Sequence, residues 1–467
     1  MPGLAAMSTE EQEMAIELRR VTMPEIGVPV ELPELPVAEF AERAARLRAR
    51  AGTAWVAVYG DREHASNLAF VCGYDPRFEE GMLLLGPGER AVLLVGNEGL
   101  IHAAVTRLPA EVVLYQPFSL MAQPRGDSAP LAELLVGLGL EGSGPVGVAG
   151  WKYLDAGEAA DVTRPAYAPA FVVDALEAVS GAPSIDVTPV LINPVDGLRS
   201  VVSADEVARL EWGAARASAA VLRVVRRTRP GMTELAAMGA MGYEGEPLSC
   251  HAILASSDAG GDLNGLRSPS ARVIGHGDAI TCGVGYQGGL CCRAGLLTDA
   301  VDEAFVATYV RPYFAALAAW WGTLGIGVTG GEMFDAVIGA LGDAPFRPLL
   351  NPGHLTSSDE WVHSPIDAGS TTPIVSGMVF QCDIIPSPMP AGRALNCEDS
   401  AAVCDEALRA ELATRHPAFW ARIEARRAFM RDELGLRLKP EVLPLASAPA
   451  YLPPFWLASE LVCVVAG

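Results

Sequence analysis

Basic residues are scarce in this sequence of 467 residues. Lys and Arg number 34 against 56 Asp and Glu, and the formal net charge is −22. No run of the chain forms the basic stripe that binding to a phosphate backbone requires. We therefore expect no nucleic acid among the partners of this protein.

Long apolar runs are also missing. The most apolar helix candidate, Phe305–Leu324, is interrupted by Arg311 and Pro312, and the start Met1–Glu10 has no basic segment followed by an apolar one. These features predict a soluble, cytoplasmic protein that has no membrane partner.

Cysteine pairs with the spacing of a structural zinc site are absent. The nine cysteines are an odd number, and none belongs to a CxxC pair. We expect most of them to be reduced and buried, because a buried cysteine behaves as a small apolar residue.

Apolar residues, by contrast, are plentiful. They make up 50% of the chain, while charged residues make up only 19%. A chain of this length suits two domains, since single cores stop growing at roughly 250–300 residues. Helical spacing over Val37–Ala51 precedes a strand pattern at Ala54–Tyr59, and further short strand patterns alternate with helical ones. The first half of the chain is thus predicted to be an α/β domain.

A boundary between the two domains is predicted at the turn-rich segment Asn193–Gly197. Ser203 follows, with Glu206 three residues later, and this capping box predicts a long helix from about Ala204 to Thr228. A charged helix is predicted at about Glu406–Glu433. We divide the chain into an N-terminal extension (1–36), an α/β domain (37–195), a second domain (196–404) and a C-terminal extension packed on the body (405–467).

The second half contains a series of short motifs in a definite order. They are the capping box at Ser203, the turn Pro230–Glu234, Gly277-Asp278 before a strand, Gly353-His354, the turn Ser376–Val379 before a strand that ends at Asp383–Pro386, and Glu398-Asp399. In this order the motifs resemble the creatinase and aminopeptidase P family. Asp61–His64 and Gly73-Tyr74 extend the resemblance, which covers about residues 37–404. It implies a creatinase-N-like α/β domain, an α+β pita-bread domain and a homodimer.

The resemblance also implies where metal ligands would be found. In the metallopeptidases of the family, two aspartates, one histidine and two glutamates hold two metal ions. Matched one at a time, these positions fall here on Gly283, Arg293, His354, Asp383 and Glu398. Loss of both aspartates should abolish a site for two metals, since hard divalent cations need several anionic oxygens. Our first hypothesis is a site with no metal cofactor, in which Arg293 replaces the metal charge and pairs with Asp383 or Glu398.

A register shifted by one residue stays open as an alternative. It places Cys282 and Cys292 near the aspartate positions, and with His354 and Asp383 these thiols would suit one zinc ion. The two-residue period of a strand argues against it, because a slip of one residue turns every side chain to the other face. In the first register, the cysteines beside the site are expected to point into the core: Cys291, Cys292, Cys382 and Cys397.

The candidate catalytic residues are His354, Asp383, Glu398 and His251. The extra pocket histidine of the family falls on Leu266, so His251 is the substitute we consider. The candidate substrate-binding residues are Arg293, Arg62, His64, Arg77 and His363. Arg62, His64 and Arg77 lie near a segment that in relatives reaches into the neighbouring subunit's site and holds a substrate carboxylate. An arginine fork suits that task.

The resemblance implies a hydrolase. The hypothesis is a metal-independent, creatinase-like enzyme that hydrolyses a C–N bond in a small amino-acid-like or amidino substrate. Three alternatives remain: a mononuclear metallohydrolase like an Xaa-Pro aminopeptidase, a pita-bread lyase that acts by elimination, and a non-catalytic binding protein. The expected partners are a small-molecule substrate and a second copy of the chain.

Overall fold

The computed structural model describes residues 15–466, and the first 14 residues of the predicted N-terminal extension lie outside this part of the chain. The first half has these elements: β1 (Ile16–Arg20), α1 (Val37–Ala51), β2 (Trp55–Gly60), α2 (Ser66–Cys72), β3 (Gly81–Leu85), β4 (Ala91–Val95), α3 (Gly99–His102), β5 (Glu111–Leu114), α4 (Leu131–Gly137), β6 (Val146–Ala149), α5 (Ala170–Ser180), β7 (Ile185–Asp186) and α6 (Thr188–Ile192). The helix predicted over Val37–Ala51 and the strand that follows it are confirmed.

Strands β2 to β7 form one mixed sheet of six strands in the order β5-β4-β3-β2-β6-β7. Strand β3 is antiparallel to both β2 and β4, and the remaining pairs are parallel. Strands β2, β3 and β4 are buried along their whole length, so they are continuous apolar runs rather than alternating ones. This is the predicted α/β arrangement.

The second half is built around a larger sheet. Its elements are α7 (Ala204–Arg227), α8 (Glu234–Met238), β8 (Ile253–Ser257), β9 (Ala279–Tyr286), β10 (Gly289–Leu296), α9 (Glu303–Phe305), α10 (Arg311–Thr323), α11 (Gly330–Leu341), β11 (Arg347–Pro348), β12 (His354–Leu355), β13 (Val379–Cys382), β14 (Pro386–Ser387), β15 (Asn396–Val403), α12 (Glu406–Arg415), α13 (Pro417–Asp432), β16 (Val442–Pro444) and β17 (Leu461–Val465). The sheet has seven strands in the order β12-β13-β15-β10-β9-β8, and β16 pairs with β15.

Helix α7 begins where the sequence predicts. The Ser203 hydroxyl accepts a hydrogen bond from the backbone N–H of Glu206 at 3.2 Å. The Glu206 carboxylate forms an ion pair with the buried Arg43 of α1 instead of returning to the cap. The Ser203 half of the capping box therefore forms at the start of α7. Glu206, the other half, instead connects α1 to the second domain.

The β9–β10 hairpin lies close against α7 because glycine stands at the contacts. A Cβ atom on Gly289 would lie 2.6 Å from Cα of Ala214, and one on Gly213 would lie 2.1 Å from the Gln287 carbonyl oxygen. Gly288, in the turn, has φ +102°, a conformation that other residues rarely adopt. These contacts hold the hairpin that contributes one wall of the site described below.

The C-terminal extension differs from its prediction in two ways. The single helix predicted at Glu406–Glu433 is two helices, α12 and α13, because Pro417 has no N–H to continue the first one. Further on, β16 joins the large sheet, and β17 pairs with β1 near the start of the described chain. The extension is thus hydrogen-bonded into the body as well as packed on it.

The apolar segment near Phe305–Leu324 is helical nearly throughout. A π turn at Val306–Val310 connects α9 to α10, and Pro312 is the second residue of α10. Among residues 15–466, no helix combines the length and the apolar character needed to cross a membrane.

Arg293 is buried on the face of the sheet that turns toward α7. Its Nη2 donates to Asp399 Oδ2 at 2.8 Å and to the Ala448 carbonyl at 2.8 Å, and its Nε donates to the Tyr451 carbonyl at 2.7 Å. The prediction that it pairs with Asp383 or Glu398 is wrong. The antiparallel ladder pairs Arg293 with Cys282, so these two side chains share the face toward α7. Asp383 and Glu398 point to the opposite face.

The Arg293–Asp399 pair provides a test of this assignment. Replacing Arg293 by Met leaves a buried carboxylate without a partner, which should lower the free energy of unfolding by about 3–5 kcal/mol. The double variant Arg293→Met/Asp399→Leu should recover most of that loss. Urea unfolding of the wild type and the variants measures both effects.

Arg431→Met is the matched control, because Arg431 forms an exposed pair with Asp432 that should contribute at most about 1 kcal/mol. Equal effects of Arg293→Met and Arg431→Met would contradict the structural role.

Candidate functional site

A cavity of about 850 Å³ opens on the face of the large sheet opposite Arg293. Thr281 and Gly283 of β9, Cys292 and Ala294 of β10, and Glu398 of β15 all contribute to its lining. These positions are two residues apart along each strand, as side chains on one face of a sheet must be. The cavity therefore lies where the resemblance places the functional site.

Two buried carboxyl groups form the floor of the cavity. Asp383 follows the end of β13, Glu398 lies in β15, and the two side chains are hydrogen-bonded to each other. Their exposed fractions are only 5% and 6%. Two carboxylates this close cannot both ionise at low cost, so the pair retains a proton.

The pKa values of the two carboxyl groups are shifted by different surroundings. Burial raises the pKa of Asp383 well above its ordinary value, and the charge and hydrogen bond of Glu398 raise it further. Burial raises the pKa of Glu398 to about 7, against the opposing effect of the Asn396 amide, which donates to Glu398 Oε1 at 2.5 Å. Near neutral pH the pair thus retains a proton that it can exchange.

His354 lies on β12 beside this pair and is fully buried. Its Nε2 is 4.0 Å from Asp383 Oδ2 and 2.9 Å from Glu360 Oε1, the latter without hydrogen-bond geometry. Trp361 stacks on the imidazole ring with centroids 4.0 Å apart and an interplanar angle of 21°. His354, Asp383 and Glu398, predicted as catalytic residues, are therefore together.

Glu360 is a member of the site that the sequence reasoning missed. It lines the cavity, and its charge raises the pKa of both Asp383 and Glu398. In the sequence it stands in a short acidic loop, Asp359-Glu360-Trp361, with nothing to separate it from an ordinary exposed acid. Only the pairing of β12 with β13 brings this loop over the carboxyl pair.

The donor set does not fit the metal site that the fold family implies. Gly283 has no ligating side chain, and the residue paired with it across the hairpin is Cys292. Burial raises the pKa of the Cys292 thiol well above its ordinary value, so the thiol is neutral and a weak ligand. Among residues 15–466, no group of three or more His, Cys, Asp and Glu side chains is arranged to hold a metal ion.

Cys292 itself is a correction to the sequence analysis, which expected it to point into the core. It lines the cavity, with its Sγ 3.6 Å from Thr281 Oγ1 and 3.6 Å from Asn396 Nδ2. Cys282 lies on the opposite face of β9 in the apolar core. The alternative zinc site is therefore not supported, since Cys282 and Cys292 point to opposite faces. The cysteines that do face away from the cavity are Cys291, Cys382 and Cys397.

His251 lies at the mouth of the same cavity. Its side chain is exposed, and its Nε2 is 2.7 Å from the carbonyl oxygen of Leu266, the position where the resemblance expects the extra histidine. His251 is thus near the site but is held at its rim, away from the carboxyl pair.

Of the other predicted substrate-binding residues, two arginines lie outside this cavity. Arg62 is exposed and pairs with Glu63 at 3.1 Å, and Arg77 pairs with Asp75 at 3.5 Å. Neither lines the cavity of its own chain. That they complete the site of a second subunit stays a prediction.

His64 and His363 come together in a second cavity, of about 550 Å³, between the two halves of the chain. His64 stacks on Trp151 with centroids 4.3 Å apart, and His363 Nε2 is 2.9 Å from the Tyr153 hydroxyl. Burial lowers the pKa of His363. Trp361 lines both cavities, so the second cavity adjoins the first across its ring.

No protein-family model matches this sequence, and no curated protein matches it. Solved structures match its fold. Dipeptidase PepE from Mycobacterium ulcerans is 21% identical with a TM-score of 0.58, over 79% of this chain and 95% of its own. The prolidase from Pyrococcus horikoshii OT3 is 16% identical with a TM-score of 0.60, over 78% and 95%. The Xaa-Pro dipeptidase from Bacillus anthracis is 17% identical with a TM-score of 0.61, over 79% and 96%.

This chain has the pita-bread fold. The match spans nearly the whole of each solved structure, so both the α/β half and the pita-bread half are present, as the resemblance implied. At these identities the match establishes the fold alone. What the pita-bread site does here has to be argued from its own residues.

The raised pKa of Glu398 predicts how stability depends on pH. In the unfolded chain a glutamate titrates near about 4.3. The stability that the neutral carboxyl contributes to the folded state is fully present below a pH of about 4.3. It is lost as the pH rises through about 7. Glu398→Gln removes the cost of burying the carboxylate, so it should raise the free energy of unfolding at pH 8, on the order of 2 kcal/mol, and much less at pH 5.

Urea unfolding at the two pH values measures this difference. Glu133→Gln, at an exposed position of α4, is the control and should show no such pH dependence. A Glu398→Gln effect of the same size at pH 5 and pH 8 would contradict the assignment.

Proposed function

We propose that this protein is a hydrolase that cleaves a C–N bond by acid–base catalysis, without a metal ion. The observation that carries the proposal is the hydrogen-bonded pair of Asp383 and Glu398, buried on the floor of a cavity that a substrate can enter. One protonated and one exchangeable carboxyl are the acid and the base that such a reaction needs. The pita-bread fold, shared with dipeptidases and prolidases, supports a hydrolytic reaction.

The two carboxyls account for every proton in the reaction. Glu398, as the carboxylate, takes a proton from a water molecule whose oxygen attacks the substrate carbon. As the C–N bond breaks, protonated Asp383 gives its proton to the leaving nitrogen. The products are an oxygen-containing fragment and an amine; Glu398 now holds a proton from the water, and Asp383 is a carboxylate. Transfer through their mutual hydrogen bond restores the starting state.

His354 and Glu360 support this pair from one side. The imidazole lies 4.0 Å from Asp383 and 2.9 Å from Glu360, so in its charged form it offsets part of the negative charge of the cluster. Stacking against Trp361 holds the ring in place. We assign His354 as a third group that exchanges protons with the pair, and His251, at the rim, to contact with substrate.

Metal independence belongs to this proposal. It is supported by the donor set: Gly283 stands at one ligand position of the family, Arg293 at the other is paired with Asp399 away from the cavity, and the Cys292 thiol opposite Gly283 is neutral. Elemental mass spectrometry of protein purified without a chelator should find no metal at a stoichiometric level. One or more metal ions per chain would contradict this part of the proposal.

Activity should depend on the carboxyl pair and not on a metal. Screening amides, dipeptides and amidines for amine release should reveal a substrate, and its turnover should be unchanged by a chelator. Glu398→Gln and Asp383→Asn should each reduce kcat by about 100-fold or more, since general acid–base catalysis contributes roughly 10²–10⁴-fold. Glu133→Gln should leave kcat unchanged. Turnover that survives both substitutions would place the reaction elsewhere.

Product analysis in heavy-oxygen water separates hydrolysis from elimination. Hydrolysis incorporates one solvent oxygen atom into the product, whereas the elimination expected of a lyase incorporates none. An unlabelled product formed at the same rate would overturn the hydrolase proposal.

A non-catalytic binding protein is the second candidate, favoured by the loss of both family aspartates, whose positions fall on Gly283 and Arg293. It predicts ligand binding without product formation. The screen for amine release distinguishes the two functions directly.

A further inference from the structure

The floor of the large cavity has an excess of negative groups. Asp383, Glu398 and Glu360 all line it, and together they face one histidine. Arg393 is the one Lys or Arg side chain among the described residues that line the cavity, and its Nη2 already donates to Asp302 at 2.9 Å. A ligand that brings a positive charge would therefore lower the cost of this cluster.

Two buried polar atoms, one on the floor and one beside it, have no hydrogen-bond partner within the described chain. They are Oδ1 of Asp383 and Nε2 of His354, and both side chains are more than nine-tenths buried. Buried polar atoms without a partner are rare in folded proteins, since each one costs free energy. Oδ1 of Asp383 accepts hydrogen bonds, so a ligand N–H donor at the floor would satisfy it.

The walls and rim of the cavity have the opposite character. Leu266, Leu349 and Leu350 line the mouth with exposed fractions of 76%, 60% and 49%. Ile253 and Leu290 continue the apolar lining inward toward the floor. A cluster of large exposed apolar side chains beside a cavity indicates a surface that something apolar covers.

The size of the cavity bears on the ligand as well. About 850 Å³ lies in the upper range of cavities that hold drug-sized molecules, and it greatly exceeds the volume of a compact amino-acid-like substrate. The sequence hypothesis of a small substrate therefore accounts for the acidic floor but leaves the apolar part of the cavity without an occupant.

We propose that this cavity binds organic cations with an extended apolar body, whose amine, amidine or guanidine nitrogen contacts Asp383 and Glu360 while an alkyl or aryl chain lies along the leucines of the rim. The inference rests on the proposed function only in placing the reacting C–N bond beside the carboxyl pair. Binding itself is measurable without turnover.

Isothermal titration calorimetry on the full chain tests the ligand class. The probe is n-octylguanidinium, below its micelle-forming concentration, compared with ethyl- and butylguanidinium, 1-octanol and octanoate. Affinity should rise by about fourfold for each added methylene that the walls cover, following the free energy of burying a CH₂ group. 1-Octanol should bind far more weakly than n-octylguanidinium, and octanoate should show no binding.

Substitutions locate the two halves of the ligand. Glu360→Gln should weaken n-octylguanidinium by at least about tenfold and leave 1-octanol unchanged, because the lost interaction is one with charge. Leu349→Ser/Leu350→Ser should flatten the dependence on chain length while ethylguanidinium binds as before. Leu100→Ser, at an exposed apolar position in the N-terminal half, is the control and should change neither. Thermal unfolding of each variant verifies that it is folded.

Equal affinity for 1-octanol, octanoate and n-octylguanidinium would overturn the cation requirement, and affinity independent of chain length would overturn the apolar one. These outcomes are separable from failure of the hydrolase proposal. Tight, chain-length-dependent binding of n-octylguanidinium without turnover of any C–N substrate would leave the ligand class standing and remove the catalytic role. Turnover confined to small anionic substrates would support the catalytic role and overturn the proposed ligand class.

Discussion

Strand β10 lies between β9 and β15, and its antiparallel hydrogen bonds to both strands determine which side chains reach the cavity. Because successive residues point to opposite faces, Cys292 faces the cavity and Arg293 faces α7. Glycines at the contacts with α7 hold the hairpin in this position. A shift of one residue in this ladder would put a guanidinium in the cavity and a thiol against the helix, so both the site and the packing behind it depend on the same register.

The two faces of these strands deal with buried charge in different ways. Behind the sheet, Arg293 and Asp399 form a pair whose remaining N–H groups are taken up by backbone carbonyls. In front of it, Asp383 and Glu398 form no ion pair with a Lys or Arg side chain of residues 15–466, and they avoid two charges by sharing a proton. The Arg293–Asp399 pair stabilises the fold, and its hydrogen-bonding groups are already taken up. The Asp383–Glu398 pair instead keeps an exchangeable proton at the cavity, where a ligand can contact it.

The site also shows how a fold can be kept while the side chains at its site differ. The pita-bread half retains the histidine and the two acidic positions that the family resemblance identified, but Gly283 and Arg293 stand at the two aspartate positions, and the cavity wall there is formed by Gly283 and Cys292. The loop that carries Glu360 and Trp361 adds a third carboxylate and a stacked ring over His354. The result is an acidic floor beneath apolar walls, with buried carboxyl groups that can exchange protons.

Much of the architecture was predictable from local patterns. The capping residue at Ser203 and the helix from Val37 rest on short-range chemistry, whereas the ordered motifs from Gly277 to Glu398 rest on a family resemblance. The structure confirms the two-part fold that they predicted. The same motifs identified His354, Asp383 and Glu398. The direction of Arg293, the exposure of Cys292 to the cavity and the membership of Glu360 were not predictable, because they depend on strand register and loop placement between segments far apart in the chain. The sequence by itself determined which groups are available for acid–base chemistry, and only the tertiary structure decided which of them meet, since pairing across a sheet selects one face and burial sets the protonation of what lies on it.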